Sequence, residues 1–128
     1  MRWFSKNKHK EIWDEEIQWP IGDIEAAKKI RDICRSAADS AEKARSPAGS
    51  PASRKDRHGA ERYERAARAA MEIAMKVSDE LMRDASVRQI VNLCMIANDL
   101  KTARILLRAI REPSIVKEVL NDHAMLRQ

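Results

Sequence analysis

The sequence predicts an all-α fold, a single-domain helical bundle of about five helices with an N-terminal aromatic arm. Hydrophobic residues make up 44% of the 128 residues, whereas aromatic residues make up only 4% and there are 3 glycines. That composition has too few aromatic and turn residues for a sheet of many strands. Alanine supplies much of the hydrophobic content, and it favours helix while its small side chain lets helices approach closely. A chain of this length is expected to form one core.

Composition divides the chain into an aromatic arm with a short helix over residues 1–22 and a helical bundle over residues 23–128. A stretch rich in proline, glycine and serine interrupts the bundle at residues 46–58, and Gly59 follows directly after it. Such residues favour turns and extended linkers, so we expect a flexible, exposed loop there.

The arm contains all three tryptophans and the only phenylalanine of the chain: Trp3, Phe4, Trp13 and Trp19. The spacing of apolar and charged residues predicts a short amphipathic helix over residues 8–18. We expect the two later tryptophans to pack on the bundle and to cover its thin, alanine-rich core. The two earlier aromatics precede any helical pattern, so they are as well suited to anchoring a partner or a second subunit as to self-packing.

Two helices of similar length follow the arm. The first is predicted from Ile24 to Arg45 with Asp23 as its N-cap, and the next begins near Ala60. Each has a seam with spacings of three and four residues. The seam of the first is Ala27, Ile30, Cys34, Ala37, Ala41 and Ala44. The seam of the second is Tyr63, Ala67, Ala70, Ala74, Val77 and Leu81. Matching seams predict an antiparallel hairpin.

The next helix is predicted to begin at a capping box formed by Ser86 and Gln89. It is apolar on nearly all sides, so we expect it to be the central and most buried element. Asp99 suits the N-cap of a fifth helix that ends at Arg111. One continuous helix from Ser86 is the alternative, because neither glycine nor proline intervenes.

Residues 87–110 resemble one helix-turn-helix of a tetratricopeptide repeat, on the positions Val87, Ile90, Cys94, Ala103 and Leu107. The resemblance implies two packed helices joined by a turn. It covers a fifth of the chain, and no second copy of the motif follows. Pro113 comes early for such a repeat and instead suits the first turn of a last helix, which is expected to fray towards Gln128.

The sequence shows no pattern typical of an enzyme, and we expect no catalytic residue, no cofactor and no metal site. The histidines are scattered: His9, His58 and His123. Cys34 and Cys94 fall on apolar stripes, where a reduced thiol behaves as a small hydrophobic group. The few glycines do not have the spacing of a phosphate-binding loop.

The strongest polar pattern is a basic face on the fifth predicted helix, formed by Lys101, Arg104, Arg108 and Arg111. Cations on one face suit successive phosphates or an acidic partner surface. The plainer interpretation, which we favour at this stage, is that long basic side chains cover the apolar edge of the helix while their charges stay in water.

We therefore expect a small cytoplasmic, non-enzymatic protein that binds another protein or its own copy, as an adaptor, regulator or assembly subunit. The expected contacts are Trp3, Phe4 and the basic face. The main alternative is a nucleic-acid-associated protein that also uses the cations of residues 54–57. A weaker alternative is a membrane-surface protein held by residues 2–10. No small-molecule substrate is evident, and two cysteines on apolar stripes favour a reducing compartment.

Overall fold

A computed structural model describes residues 11–45 and 54–127, and within these ranges every regular element is helical. The five α-helices are α1 (Asp23–Ala44), α2 (Arg54–Ala74), α3 (Glu80–Ile96), α4 (Leu100–Ala109) and α5 (Pro113–Asp122). Short 3₁₀ helices cover Ile12–Asp14 and Ala124–Arg127. The predicted fold class is confirmed. Trp3, Phe4 and residues 46–53 of the predicted loop lie outside the described residues.

Helices α1 and α2 form the predicted antiparallel pair along their alanine seams. Ala37 and Ala41 of α1 and Ala70 of α2 are fully buried. The helices approach closely at Gly59, where a Cβ atom would lie 2.7 Å from the Cβ of Lys43. Only glycine leaves room for this approach, so the residue that suggested a loop is in fact a packing position inside a helix.

The predicted loop is wrong over residues 54–58, because α2 already begins at Arg54. Arginine and lysine have good helix propensity, and nothing in this stretch breaks the helix. The predicted end of the helix also shifts. Leu81, assigned to the seam of α2, lies in the first turn of α3 and is 58% exposed.

Two predicted caps are wrong. Helix α1 has Gly22 as its N-cap, so Asp23 is its first residue. The Asp23 carboxylate instead accepts hydrogen bonds from the backbone N–H groups of Ser78 and Asp79, at 2.9 and 2.8 Å. Helix α3 begins before the proposed capping box, since the Asp79 side chain accepts a hydrogen bond from the N–H of Met82 at 2.9 Å. Asp23 therefore ties the α2–α3 turn to the start of α1.

The Asp23 contact predicts an acid-dependent loss of stability. Hydrogen bonds from Ser78 and Asp79 hold the pKa of the Asp23 carboxyl below its ordinary value of 3.8. Because the folded-state pKa is lowered, the stabilising contribution is present above the unfolded-state pKa and is lost as the pH falls through the folded-state pKa. We expect Asp23→Asn to lower the Tm at neutral pH and to lose less further stability than the wild type below about pH 4.

Circular-dichroism melts across this pH range measure the effect. Glu25→Gln is the control, since it removes an exposed carboxylate from the same turn of α1. Identical pH profiles for the wild type and Asp23→Asn would contradict the assignment.

Helix α3 is the central element, as predicted. It packs against α1, α2, α4 and α5. Its apolar residues Val87, Ile90, Val91, Leu93 and Cys94 are all buried. The alternative of one continuous helix is wrong, because the chain turns after Ile96 and Asn98 adopts a φ of 59°. Asparagine tolerates this left-handed conformation better than most residues.

The two tryptophans of the arm differ. Trp13 is 6% exposed and packs on the α1–α2 pair, with the Arg62 guanidinium 5.4 Å from its ring centre. Trp19 is 42% exposed, and the Lys76 ammonium lies 5.1 Å from its ring centre. The prediction that both tryptophans pack on the bundle is thus confirmed for Trp13, but Trp19 is only partly buried. Within the described part of residues 8–18, the predicted amphipathic helix is only the single 3₁₀ turn, since the chain is extended on both sides of it.

Candidate protein-interaction surface

A basic face lies on the outer side of α4. Lys101, Arg104 and Arg108 are spaced by three and four residues, which places them on one side of the helix. The opposite side is apolar, and Ala103 and Leu106 are buried there against the bundle. Arg111 lies beyond the C-cap of the helix, so the predicted stripe of four cations is wrong for this residue.

The three cations on α4 are not neutralised by the protein. Among the described residues, none of them forms an ion pair. Lys101 and Arg108 are exposed. Arg104 is half-buried, and one of its guanidinium nitrogens donates a hydrogen bond to the backbone oxygen of Met125 at 3.5 Å. By contrast, Arg111 lies 3.6 Å from the carboxylate of Glu80.

An apolar centre lies within this basic face. Ile105 is 53% exposed, four residues after Lys101 and three before Arg108. Met125 is 47% exposed and follows α5 beside Arg104. We refer to Lys101, Arg104, Ile105, Arg108 and Met125 as the α4 surface. It combines exposed apolar side chains with charges that have no partner in the described chain.

Both ends of α4 are fixed by aspartates. At the start, the Asp99 side chain accepts a hydrogen bond from the N–H of Thr102 at 3.2 Å, which confirms the predicted cap. At the end, the fully buried Asp84 of α3 accepts hydrogen bonds from the N–H groups of Arg111 and Glu112 at 3.2 and 2.9 Å. A buried carboxylate that receives two N–H groups holds the turn between α4 and α5 against α3.

The C-terminal segment is held in place next to α4. His123 and Asn92 share a hydrogen bond of 2.8 Å. Arg88 of α3 forms ion pairs with Glu118 and Asp122 of α5. Leu126 is buried, so the prediction that the end of the chain frays is wrong up to Arg127, the last described residue. These contacts bring Met125 to the α4 surface.

Sequence reasoning found the cations of this surface but missed its apolar members. Ile105 shares a face with Lys101 and Arg108 by simple helical spacing, so its exposure was available from the sequence. Met125 was not, because it reaches α4 only through contacts between residues about thirty positions apart, such as that of His123 with Asn92. Nothing is described for Trp3 and Phe4, the other predicted contacts.

Three titratable groups of the bundle have raised pKa values. Burial raises the pKa of Cys34 to about 12 and that of Cys94 to about 11, so both thiols are protonated at neutral pH. Burial likewise raises the pKa of Tyr63, whose hydroxyl donates to Asp99 at 2.7 Å. Across residues 11–45 and 54–127, no three histidine, cysteine or acidic side chains are grouped to hold a metal ion.

Comparison with known proteins gives no relative. The chain matches no protein-family model, no curated protein and no solved structure at a significant level. Residues 87–110 therefore resemble a tetratricopeptide unit only in forming two helices, parts of α3 and α4, that are joined by a turn. In the described part of the chain, no helix combines the length and apolar character needed to cross a membrane.

Proposed function

We propose that this protein is a non-enzymatic protein-binding module, an adaptor or assembly subunit, that docks an acidic protein surface on the α4 surface. The supporting observation is the exposure of Ile105 between two cations that have no acidic partner among the described residues. An apolar side chain ringed by charge resembles the centre and polar rim of protein interfaces. The charges would steer an acidic partner, and the apolar contact would retain it.

The apolar centre favours a protein partner over nucleic acid. Phosphate contacts need only cations and hydrogen-bond donors, and they gain nothing from Ile105 or Met125. The cations of the α4 surface are also few: Lys101, Arg104 and Arg108. We place the protein in a reducing cytoplasm, a proposal supported by the free state of Cys34 and Cys94. The arm residues Trp3 and Phe4 remain proposed contacts for the same kind of partner.

Affinity capture with an α4 variant tests this function. The bait protein is immobilised as wild type, as Ile105→Ser and as Met75→Ser, then exposed to an extract of the native host treated with nuclease. We expect Ile105→Ser to reduce capture of the bound polypeptide about tenfold or more, because it removes the apolar contact at the centre of the interface. Met75 is an apolar residue just after the end of α2 that is 68% exposed, so Met75→Ser should capture as the wild type does.

The nucleic-acid alternative makes a different prediction. Binding through phosphates falls steeply with added salt, and Arg104→Ala with Arg108→Ala would lower the salt slope by about two. Equal capture by wild type and Ile105→Ser, together with salt-sensitive binding of DNA or RNA, would replace the proposed function with this alternative.

A further inference from the structure

An apolar groove lies between the segment before α1 and the first half of α1. Its floor is formed by Ile12, Ile17 and Ile21, each half-buried, and its volume is about 450 Å³. The groove is partly open to solvent, so a side chain that projects from another molecule can enter it. Its apolar floor is unoccupied by any described part of the chain.

The rim of this groove is acidic. Four carboxylates line it: Glu15, Glu16, Glu25 and Asp32. Two lysines neutralise only part of this charge, since Lys29 pairs with Glu15 and Lys28 lies 3.8 Å from Asp32. Glu16 and Glu25 form no ion pair within residues 11–45 and 54–127. An apolar floor with an acidic rim is complementary to an apolar side chain flanked by cations, which is the composition of the α4 surface.

The groove and the α4 surface lie on different parts of the molecule. Ile33 of α1 and Ile73 of α2 lie next to the segment before α1. Cys34 and Ala38, on another side of α1, lie next to α3. The segment and α3 therefore cover different sides of α1, and α4 packs on α3 with its basic face outward.

The charges of the two surfaces have the same spacing. Glu25 and Asp32 are seven residues apart on α1, and Lys101 and Arg108 are seven residues apart on α4. Seven residues span about 10 Å along a helix axis and return to nearly the same face. Both cations can therefore lie opposite both carboxylates while Ile105 enters the groove between them.

We propose that the acidic groove of one molecule binds the α4 surface of a second copy, head to tail. The inference rests on the proposed function of the α4 surface and names the acidic surface that it docks. Because the two contact surfaces differ, the contact is heterologous, and each copy keeps one free groove or one free α4 surface. A single helix in an open groove buries little area, so the association is transient and weakened by salt.

Sedimentation velocity with two neutralised variants tests the contact. Lys101→Gln with Arg108→Gln alters only the α4 surface, and Glu25→Gln with Asp32→Asn alters only the groove. We expect the wild type to form dimers and longer species as its concentration rises at low salt. Each variant alone should associate about tenfold more weakly, because two charge pairs are lost.

The decisive sample is an equimolar mixture of the two variants. One unaltered groove and one unaltered α4 surface are then present on different molecules, so the mixture should regain association but stop at a one-to-one dimer. Arg68→Gln with Lys117→Gln, which changes two exposed cations elsewhere, should behave as the wild type does.

Three results would overturn the head-to-tail contact. These are a wild type that stays monomeric at low salt, variants that associate as strongly as the wild type, or a mixture that stays monomeric. None of them affects the capture experiment with Ile105→Ser, so failure of self-association is distinguishable from failure of the proposed function.

Discussion

Leu93→Asp is expected to unfold most of the protein. Leu93 is buried in the last turns of α3, the helix that contacts four others. The substitution removes apolar packing and places a carboxylate at a position that is only 2% exposed. We expect a loss of about 3–5 kcal/mol in the free energy of unfolding, which is a large part of the stability of a small protein.

The same helix provides a matched control. Leu81→Asp makes the identical chemical change in the first turn of α3, where the side chain is exposed and an acidic residue interacts favourably with the helix dipole. Urea unfolding followed by circular dichroism measures both variants. Equal midpoints for the two would show that α3 is not the core of the bundle.

Trp13→Ala is expected to have the second-largest effect. Trp13 fills the contact between the arm and the α1–α2 pair, so its removal leaves a large cavity and should cost about 3–5 kcal/mol. Trp19→Ala is the paired control, because Trp19 is 42% exposed and lies beside Lys76. It should cost less than about 1 kcal/mol.

Thermal and urea unfolding of the two tryptophan variants show whether the arm is part of the core or only a loose extension of it. A Trp13→Ala variant as stable as Trp19→Ala would contradict the packing described for the arm.

Fold class and helix seams were predictable because they depend on local and periodic properties of the sequence. The buried positions Ala70, Ile90 and Cys94 follow from spacing alone. Helix ends were less predictable, since several residues suit a cap and tertiary contacts decide between them. Asp23 was available as an N-cap, but its carboxylate instead binds N–H groups 55 and 56 residues away.

Packing between helices also determines the position of residues that the sequence alone suggests are helix breakers or core residues. Gly59 suggested a loop, yet it lies within α2 because α1 approaches closely there. Trp19 suggested a core residue, yet the α1–α2 pair accommodates only Trp13 fully. The volume available at each contact is a property of the assembled helices, so no local pattern reveals it.

The candidate surface was predictable in part. Helical spacing grouped Lys101, Arg104 and Arg108 correctly, but it extended the helix to Arg111, which the buried carboxylate of Asp84 holds in the following turn. The predicted contact residues were all charged or aromatic, so Ile105 escaped attention although it lies at the centre of the face. The acidic groove was not predicted. It depends on the path of the chain before α1, and the sequence pattern predicted a longer helix in that segment.

Site-specific photocrosslinking tests the central claim most directly. A photoreactive amino acid placed at position 105 reports what touches the α4 surface in an extract of the native host, and the same group at position 75 is the control. We predict crosslinks to protein at position 105, either to the groove of a second copy or to an acidic surface of another protein, and few at position 75. Crosslinks to nucleic acid at position 105, or equal yields of protein at both positions, would contradict a protein-docking role for the α4 surface.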